Sequence, residues 1–390
     1  MKKFVSLLLI LTFIFTLTST VSSAYGTKSV AEGSLTTSSE HTVNARSAFL
    51  MEAETGETLY SYNENERFSP ASVTKVMTLL LIMEGLESGK IGADDNVTVS
   101  AYAASMGGSQ VFLEEGESMS VTDLIKCTVI ASANDAAVAL AEHLYGSEKT
   151  FVTKMNKRAS ELGMENTFFE NVTGLDDTTT NHLTSAKDIA IMSRELIKYD
   201  MIRKYSSLWQ DSIRNGEFIL TNTNRLVRYY DGCNGLKTGS TDKAGYCMSA
   251  TAKRDGMQLI AVIMGAETRD VRNAEARSLL DYGFANYALY SLPERMLEEV
   301  PINYGSKGAT AIYSAPFKAI IEKGKTENVN MIFEIPESID APIREKEQIG
   351  KVIYKLGDNV IGESSIYSLD NIEKASIGKL FASIIKSMFY

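Results

Sequence analysis

Apolar and polar positions alternate along "RSAFLMEAETGETLYSYN", residues 46–63, around the turn chemistry of Glu54-Thr55-Gly56-Glu57. That period of two predicts a β-hairpin. The pattern then changes. In "RFSPASVTKVMTLLLIMEG", residues 67–85, almost every position from Val73 to Met83 is apolar, as in a helix buried on all sides. Ser69 before Pro70 reads as an N-cap followed by proline at the first helical position. From Val121 to Leu144 two helical segments are interrupted at Ser132-Ala133-Asn134, where cap-forming and turn-forming residues sit together. Further on, one strand ends at Lys237-Thr238-Gly239, a second covers Tyr246 to Ala252, and a third covers Leu259 to Gly265 after the Arg254-Asp255-Gly256 turn. An amphipathic helix over "VRNAEARSLLDYGFANY" closes the α/β part near residue 287.

After Leu292-Pro293 only short alternating runs remain, among them "AIYSAPFKAIIEKG" and "NVNMIFEI", which predict a small all-β domain. The last stretch places Ile377, Leu380, Phe381, Ile384, Ile385 and Met388 on one helical face. At the other end, "MKKFVSLLLILTFIFTLTSTVSSAYG" has two lysines, an apolar run and small residues before a cut after Ala24, the layout of a secretory signal peptide. The expected organisation is a signal peptide over 1–24, a flexible lead-in over 25–44, an α/β (α+β) domain with an antiparallel sheet and helices over 45–290, a β-rich domain over 291–370 and an amphipathic helix over 371–390.

Composition narrows the function. The net charge of −10 falls to −12 once Lys2 and Lys3 leave with the leader, so no basic field exists to hold nucleic acid. Cys127, Cys233 and Cys247 are too few for a disulfide scaffold, and pairing of Cys233 with Cys247 stays open. Histidines 41, 143 and 182 have no ligand spacing, so neither a metal nor another cofactor is expected. His182 reads as structural, near the site.

Candidate chemistry begins with Ser72 and Lys75, one turn apart at the start of the buried helix. A serine hydroxyl is inert at its ordinary pKa, and a desolvated lysine amine is able to activate it. The S-x-x-K pattern recurs at Ser240, Ser376 and Ser383, so it decides nothing by itself. Ser132-Ala133-Asn134 follows Ser72 by sixty residues, and Lys237-Thr238-Gly239, which occurs once, follows 105 further on. Their order and placement make one constellation.

Here the chain resembles the serine penicillin-binding proteins and β-lactamases, and within them the D-alanyl-D-alanine carboxypeptidases, through "FSPASVTKVMT", "SANDA", "NVTGLDD", "HLTSAKDIA", "GLKTGSTDKAGY" and "EARSLLDYGF". Ala133 stands where the β-lactamase form of the middle motif has Asp, a departure that favours the carboxypeptidases. The resemblance implies a β-lactamase/transpeptidase-like fold and an acyl-enzyme on Ser72 with Lys75 as base. It also implies that Ser132 and Lys237 pass a proton to the leaving amine, and that Asn134 holds a substrate amide. Ser240 after Gly239 would supply an oxyanion N–H, and Thr238 with Arg272 would bind the terminal carboxylate. The implied partners are the peptidoglycan stem peptide, β-lactams and, through the last helix, the outer face of the cytoplasmic membrane. No Glu-x-x-x-Asn arrangement follows the middle motif, so no β-lactamase-type deacylating carboxylate is expected. A transpeptidase or endopeptidase on the same scaffold, and a non-catalytic wall-binding or penicillin-sensing module, are the alternatives.

Overall fold

The computed structural model describes residues 42–379 together with 381 and 385. The expected signal peptide, all but the last three residues of the expected lead-in and most of the expected final helix therefore lie outside the described residues.

Five antiparallel strands form the central sheet: β1 (Ser47–Glu52), β2 (Thr58–Tyr62), β3 (Cys233–Thr241), β4 (Gly245–Arg254) and β5 (Met257–Ala266), in the order β2-β1-β5-β4-β3. The two faces of this sheet are read from alternate residues. Phe49, Met51, Ile260 and Val262 face one core, while Ala48, Leu50, Leu259 and Ala261 face the other. Both faces are covered. On the first side pack α1 (Lys75–Glu87), α2 (Val121–Ile130), α3 (Asn134–Tyr145), α4 (Glu148–Glu161) and α5 (Ala186–Leu196); on the second packs α6 (Arg269–Asn286). Helix α1 is buried from Lys75 through Met83, which explains the absence of a polar face in its sequence.

The start of α1 departs from the expected cap. Ser69 does not cap the helix; its hydroxyl reaches Asp176 Oδ2 at 3.4 Å. Ala71 has φ +47°, outside the helical range; Ala71–Thr74 form a 3₁₀ turn and the α-helix begins at Lys75. Ser72 thus sits in a tight turn before the helix. The strand carrying Lys237 also runs past its expected end at Gly239 to Thr241, because pairing with β4 continues to Thr241 opposite Gly245. Since β4 is its only neighbour in the sheet, β3 is an edge strand.

Strand β6 (Tyr287–Leu292) follows α6 without a linker and pairs with β9 (Phe317–Glu322). Strands β7 (Arg295–Met296), β8 (Ile312–Ser314), β10 (Val329–Glu334), β11 (Gln348–Leu356) and β12 (Asn359–Ser368) make a second antiparallel sheet, in the order β7-β8-β12-β11-β10. Between the sheets Phe317 and Tyr354 stack with ring centroids 3.7 Å apart. Ile372 is fully buried beside Ile343, whose amide donates to its carbonyl at 2.9 Å, so the β core extends past residue 370. Beyond it, residues 377–379 are helical and the side chains of Ile377, Phe381 and Ile385 are exposed. No helix among the described residues is long and apolar enough to cross a membrane. All three cysteines are free thiols, which excludes the Cys233–Cys247 bridge.

Gly174 joins the loop 171–176 to the 3₁₀ turn: at φ +83°, a Cβ there would lie 1.8 Å from Ala71 O. Gly89 has a similar φ of +69° with open space around it. Gly174→Ala is expected to lose about 3 kcal/mol or more in chemical denaturation, against about 1 kcal/mol for Gly89→Ala, which carries only the backbone penalty. Equal losses would mean that the close approach costs nothing.

Candidate active site

The Lys75 amine is fully buried, 2.8 Å from Ser72 Oγ, 2.5 Å from Asn134 Oδ1 and 2.9 Å from Thr173 O. Burial, and then the neighbouring Lys237 charge, hold it well below the usual lysine range. A neutral amine has two N–H groups and one lone pair. Asn134 Oδ1 and Thr173 O only accept, so they take the two N–H groups, and the lone pair is left facing the Ser72 hydroxyl proton. The amine is set as a base toward Ser72.

Each partner is fixed by its own element. Asn134 opens α3; its Nδ2 donates to Gly107 O at 2.7 Å and its backbone N–H to Ser109 O at 2.7 Å. Its Oδ1 is committed to Lys75, so only its second Nδ2 proton is left for a substrate amide. Ser132 holds φ +63° in the turn between α2 and α3, and its hydroxyl accepts from Lys237 Nζ at 2.8 Å. Lys237 is buried too, with Thr238 O at 2.9 Å, and burial followed by the Arg272 charge brings it down to about 7. Gly239 lets strand β3 abut the nucleophile turn: a Cβ there would sit 2.8 Å from both Pro70 O and Ser72 N. Ser240 is exposed next to it, and Thr238 Oγ1 donates to Thr223 Oγ1 at 2.8 Å.

Arg272 lies in the first turn of α6, almost fully buried. Its Nε and Nη2 both donate to Asn273 Oδ1, at 3.2 and 2.9 Å, and no carboxylate partners it among the described residues. Burial and nearby cations lower it to about 10. Glu275, one turn on, is taken instead by Asn44 Nδ2 at 2.9 Å. A buried guanidinium without a counter-charge is a site for an anion.

With residues 34–268 matching the family model D-alanyl-D-alanine carboxypeptidase, the sequence and this geometry point the same way. The chain belongs to the D-alanyl-D-alanine carboxypeptidase family. It is a serine hydrolase, and residues 284–374 match the C-terminal domain of penicillin-binding protein 5. Among similar proteins is the D-alanyl-D-alanine carboxypeptidase DacF of Bacillus subtilis, 44% identical over 86% of this chain and 88% of the relative. Penicillin-binding protein 5 of Haemophilus influenzae has a similar crystal structure, at TM-score 0.76 and 32% identity over 86% of this chain and 99% of that one. Penicillin-binding protein D2 of Listeria monocytogenes, solved in its ampicillin-bound form, matches 63% of this chain and 100% of its own at 30% identity and TM-score 0.58.

Several supports of the carboxypeptidase site escape the motif reading. Thr173 contributes a backbone carbonyl, which no side-chain pattern announces. Its loop is shaped by Asn171 Oδ1, which accepts from Gly174 N at 2.7 Å and Thr173 N at 3.2 Å, so the Asn-x-x-Gly spacing was the available signal. His182 Nδ1 accepts from Glu170 N at 3.0 Å, which puts the proton of the neutral ring on Nε2, 2.7 Å from Thr74 Oγ1. Burial brings the ring down to about 4 and keeps it neutral. Asp176 Oδ2 accepts from Thr241 Oγ1 at 2.5 Å, tying the same loop to β3. Asp135 is buried and accepts from Val111 N and Leu113 N, at 3.0 and 3.1 Å, which holds the loop facing Asn134.

Removing the Lys237 charge by Lys237→Gln takes away a like charge that favours the neutral form of Lys75, so the Lys75 pKa rises. The ascending limb of Ser72 acylation against pH is therefore expected to move to higher pH, whatever the plateau rate does. A midpoint that stays or falls would separate Lys75 from that limb.

Proposed function

We propose that the chain removes the terminal D-alanine of peptidoglycan stem peptides through an ester on Ser72. The observation that carries this reading is the Lys75 amine, whose acceptors leave its lone pair on Ser72 Oγ. Ser72 Oγ attacks the carbonyl between the two D-Ala residues while Lys75 takes its proton. The tetrahedral oxyanion sits against the N–H groups of Ser72 and Ser240. As the C–N bond breaks, Ser132 and Lys237, 2.8 Å apart, pass a proton to the departing amine. Water then cleaves the ester, restoring the Ser72 hydroxyl and leaving the shortened peptide as its acid. Thr238 and Arg272 hold the terminal carboxylate, and Asn134 donates its free Nδ2 proton to the acyl part.

The same terminus is mimicked by β-lactams, so penicillin is expected to add its own mass to intact protein at Ser72 and to leave Ser72→Ala unlabelled. Release of D-alanine from a soluble pentapeptide should fall in Ser72→Ala by about 10³-fold or more. Labelling that persists in the variant would move the nucleophile elsewhere.

The sequence at the two ends supports a place of action outside the cytoplasm. The leader over 1–24 supports export, and the apolar face of the last helix, with Lys379 and Lys386 beside it, supports attachment to the outer face of the cytoplasmic membrane. That stripe is too short for roughly 30 Å of hydrocarbon, so it would lie in the interface. The exposed Ile377 and Phe381 are in keeping with this. A truncation after Ser376 keeps Ile372 in the β core and removes the helix. It is expected to stop sedimenting with anionic liposomes while melting and hydrolysing soluble peptide as before. Undiminished sedimentation, or a lower melting temperature, would make the helix part of the protein's own core.

A further inference from the structure

Arg272, which the hydrolase reading puts at the leaving-group end, has the exposed Arg269 and Arg225 near it, and the exposed Arg228 lies one turn beyond Arg225. Arg269 precedes it by one turn of α6, and the charges of Arg269 and Arg225 both act on it. Arg225 and Arg228 are in turn one helical turn apart, with Arg228 N donating to Arg225 O at 3.1 Å. The segment that carries them is held at the site, since Thr223 Oγ1 accepts from Thr238 Oγ1 at 2.8 Å and Asn222 N donates to Trp209 O at 2.8 Å. Arg228 lies over the rings of Trp209 and Tyr229, at 5.3 and 5.5 Å.

Among the described residues none of Arg225, Arg228 and Arg269 forms an ion pair or a side-chain hydrogen bond. Glu267 and Asp270 flank Arg269, yet neither is paired with any of the four arginines. Arg225, Arg269 and Arg272 gather like charges in a chain whose net charge is −10, and they repel one another. The single carboxylate of a departing D-alanine meets Arg272 and leaves the outer three unanswered.

We propose that Arg225 and Arg269, with Arg228 behind them, form an anion-binding collar that selects leaving groups carrying a second carboxylate beyond the one held by Thr238 and Arg272. The inference rests on the hydrolase reading above and extends it to peptides whose departing half is acidic. Bond making and breaking are unchanged: the C–N bond breaks and the amine departs with the relayed proton.

The test compares three peptides, diacetyl-L-Lys-D-Ala followed by D-Ala, D-Glu or D-Gln. D-Gln matches D-Glu in size and lacks its second charge. In low salt, kcat/KM for D-Glu release should exceed that for D-Gln release by about tenfold, and the ratio should shrink as salt is added. In Arg225→Gln/Arg269→Gln the ratio should fall to within about twofold of one, and in Arg225→Lys/Arg269→Lys most of it should return. Release of D-Glu no faster than D-Gln by the unaltered protein, a ratio indifferent to salt, or a Gln double variant that keeps the ratio would each overturn the collar. If the double variant does not fold, the salt dependence of the unaltered protein carries the same decision. Absence of D-Ala release from the unaltered protein would instead overturn the hydrolase reading.

Discussion

Taking an amine out of water with no carboxylate bonded to it favours its neutral form, even with the buried Asp135 charge opposing the shift, and the rest of this site is built on that constraint. Lys75 has acceptors for two protons and a hydroxyl for its lone pair, and a second buried lysine nearby opposes a third proton. The two lysines are nevertheless unequal. Lys237, brought down to about 7, is bonded instead to the Ser132 hydroxyl and to Thr238 O. On the proposed reading one amine takes a proton and the other supplies one, and the difference between them comes from their surroundings.

This arrangement costs stability, and the cost is visible in the backbone. Ala71 and Ser132 both adopt positive φ, at +47° and +63°, immediately beside the reacting groups. They are kept there from several directions. Gly174 and Gly239 bring two separate backbones against the Ser72 turn, Asp176 ties the loop 171–176 to β3, and His182 ties Glu170, just ahead of that loop, to Thr74. The apolar body of α1, packed on all sides, anchors the turn from below. Tight packing is what lets a strained turn persist, because no neighbour can relax without opening a gap.

What could be read from the sequence follows from how local the cause is. The hairpin at Glu54–Glu57 is set by turn residues and alternation within a dozen positions, and β1 and β2 formed as expected. The Ser72, Ser132 and Lys237 motifs carry their chemistry in side chains, so although none decides anything alone their joint order was legible, and the fold brings them together. Features set by distant partners were not recognisable. Ser69 has the credentials of an N-cap and loses the role because Asp176, more than a hundred positions away, takes its hydroxyl. The end of β3 is decided by β4 rather than by its own residues. Thr173 acts through a carbonyl that every residue possesses, and only the folded loop gives it a role.

An unpaired sheet edge is ordinarily a hazard, since its free N–H and C=O groups invite another strand. Here the edge of β3 is put to use, and its surroundings limit what it can accept. The Lys237–Ser132 bond closes the bottom of the groove, the 132–134 turn faces the strand across it, and Gly239 presses the strand against Ser72. On the proposed reading, an extended peptide laid along β3 brings a carbonyl to Ser72 with its carboxylate directed at Arg272. Main-chain pairing along β3 would supply affinity without regard to side chains, so on that reading selection falls to the two ends of the groove. At the leaving-group end the protein has placed a buried cation, and an anion brought there is worth far more than one met at the surface, because burial removes the water that would otherwise screen the pair. Charge at that one position therefore separates a peptide terminus from the many extended segments that the same edge would otherwise hold.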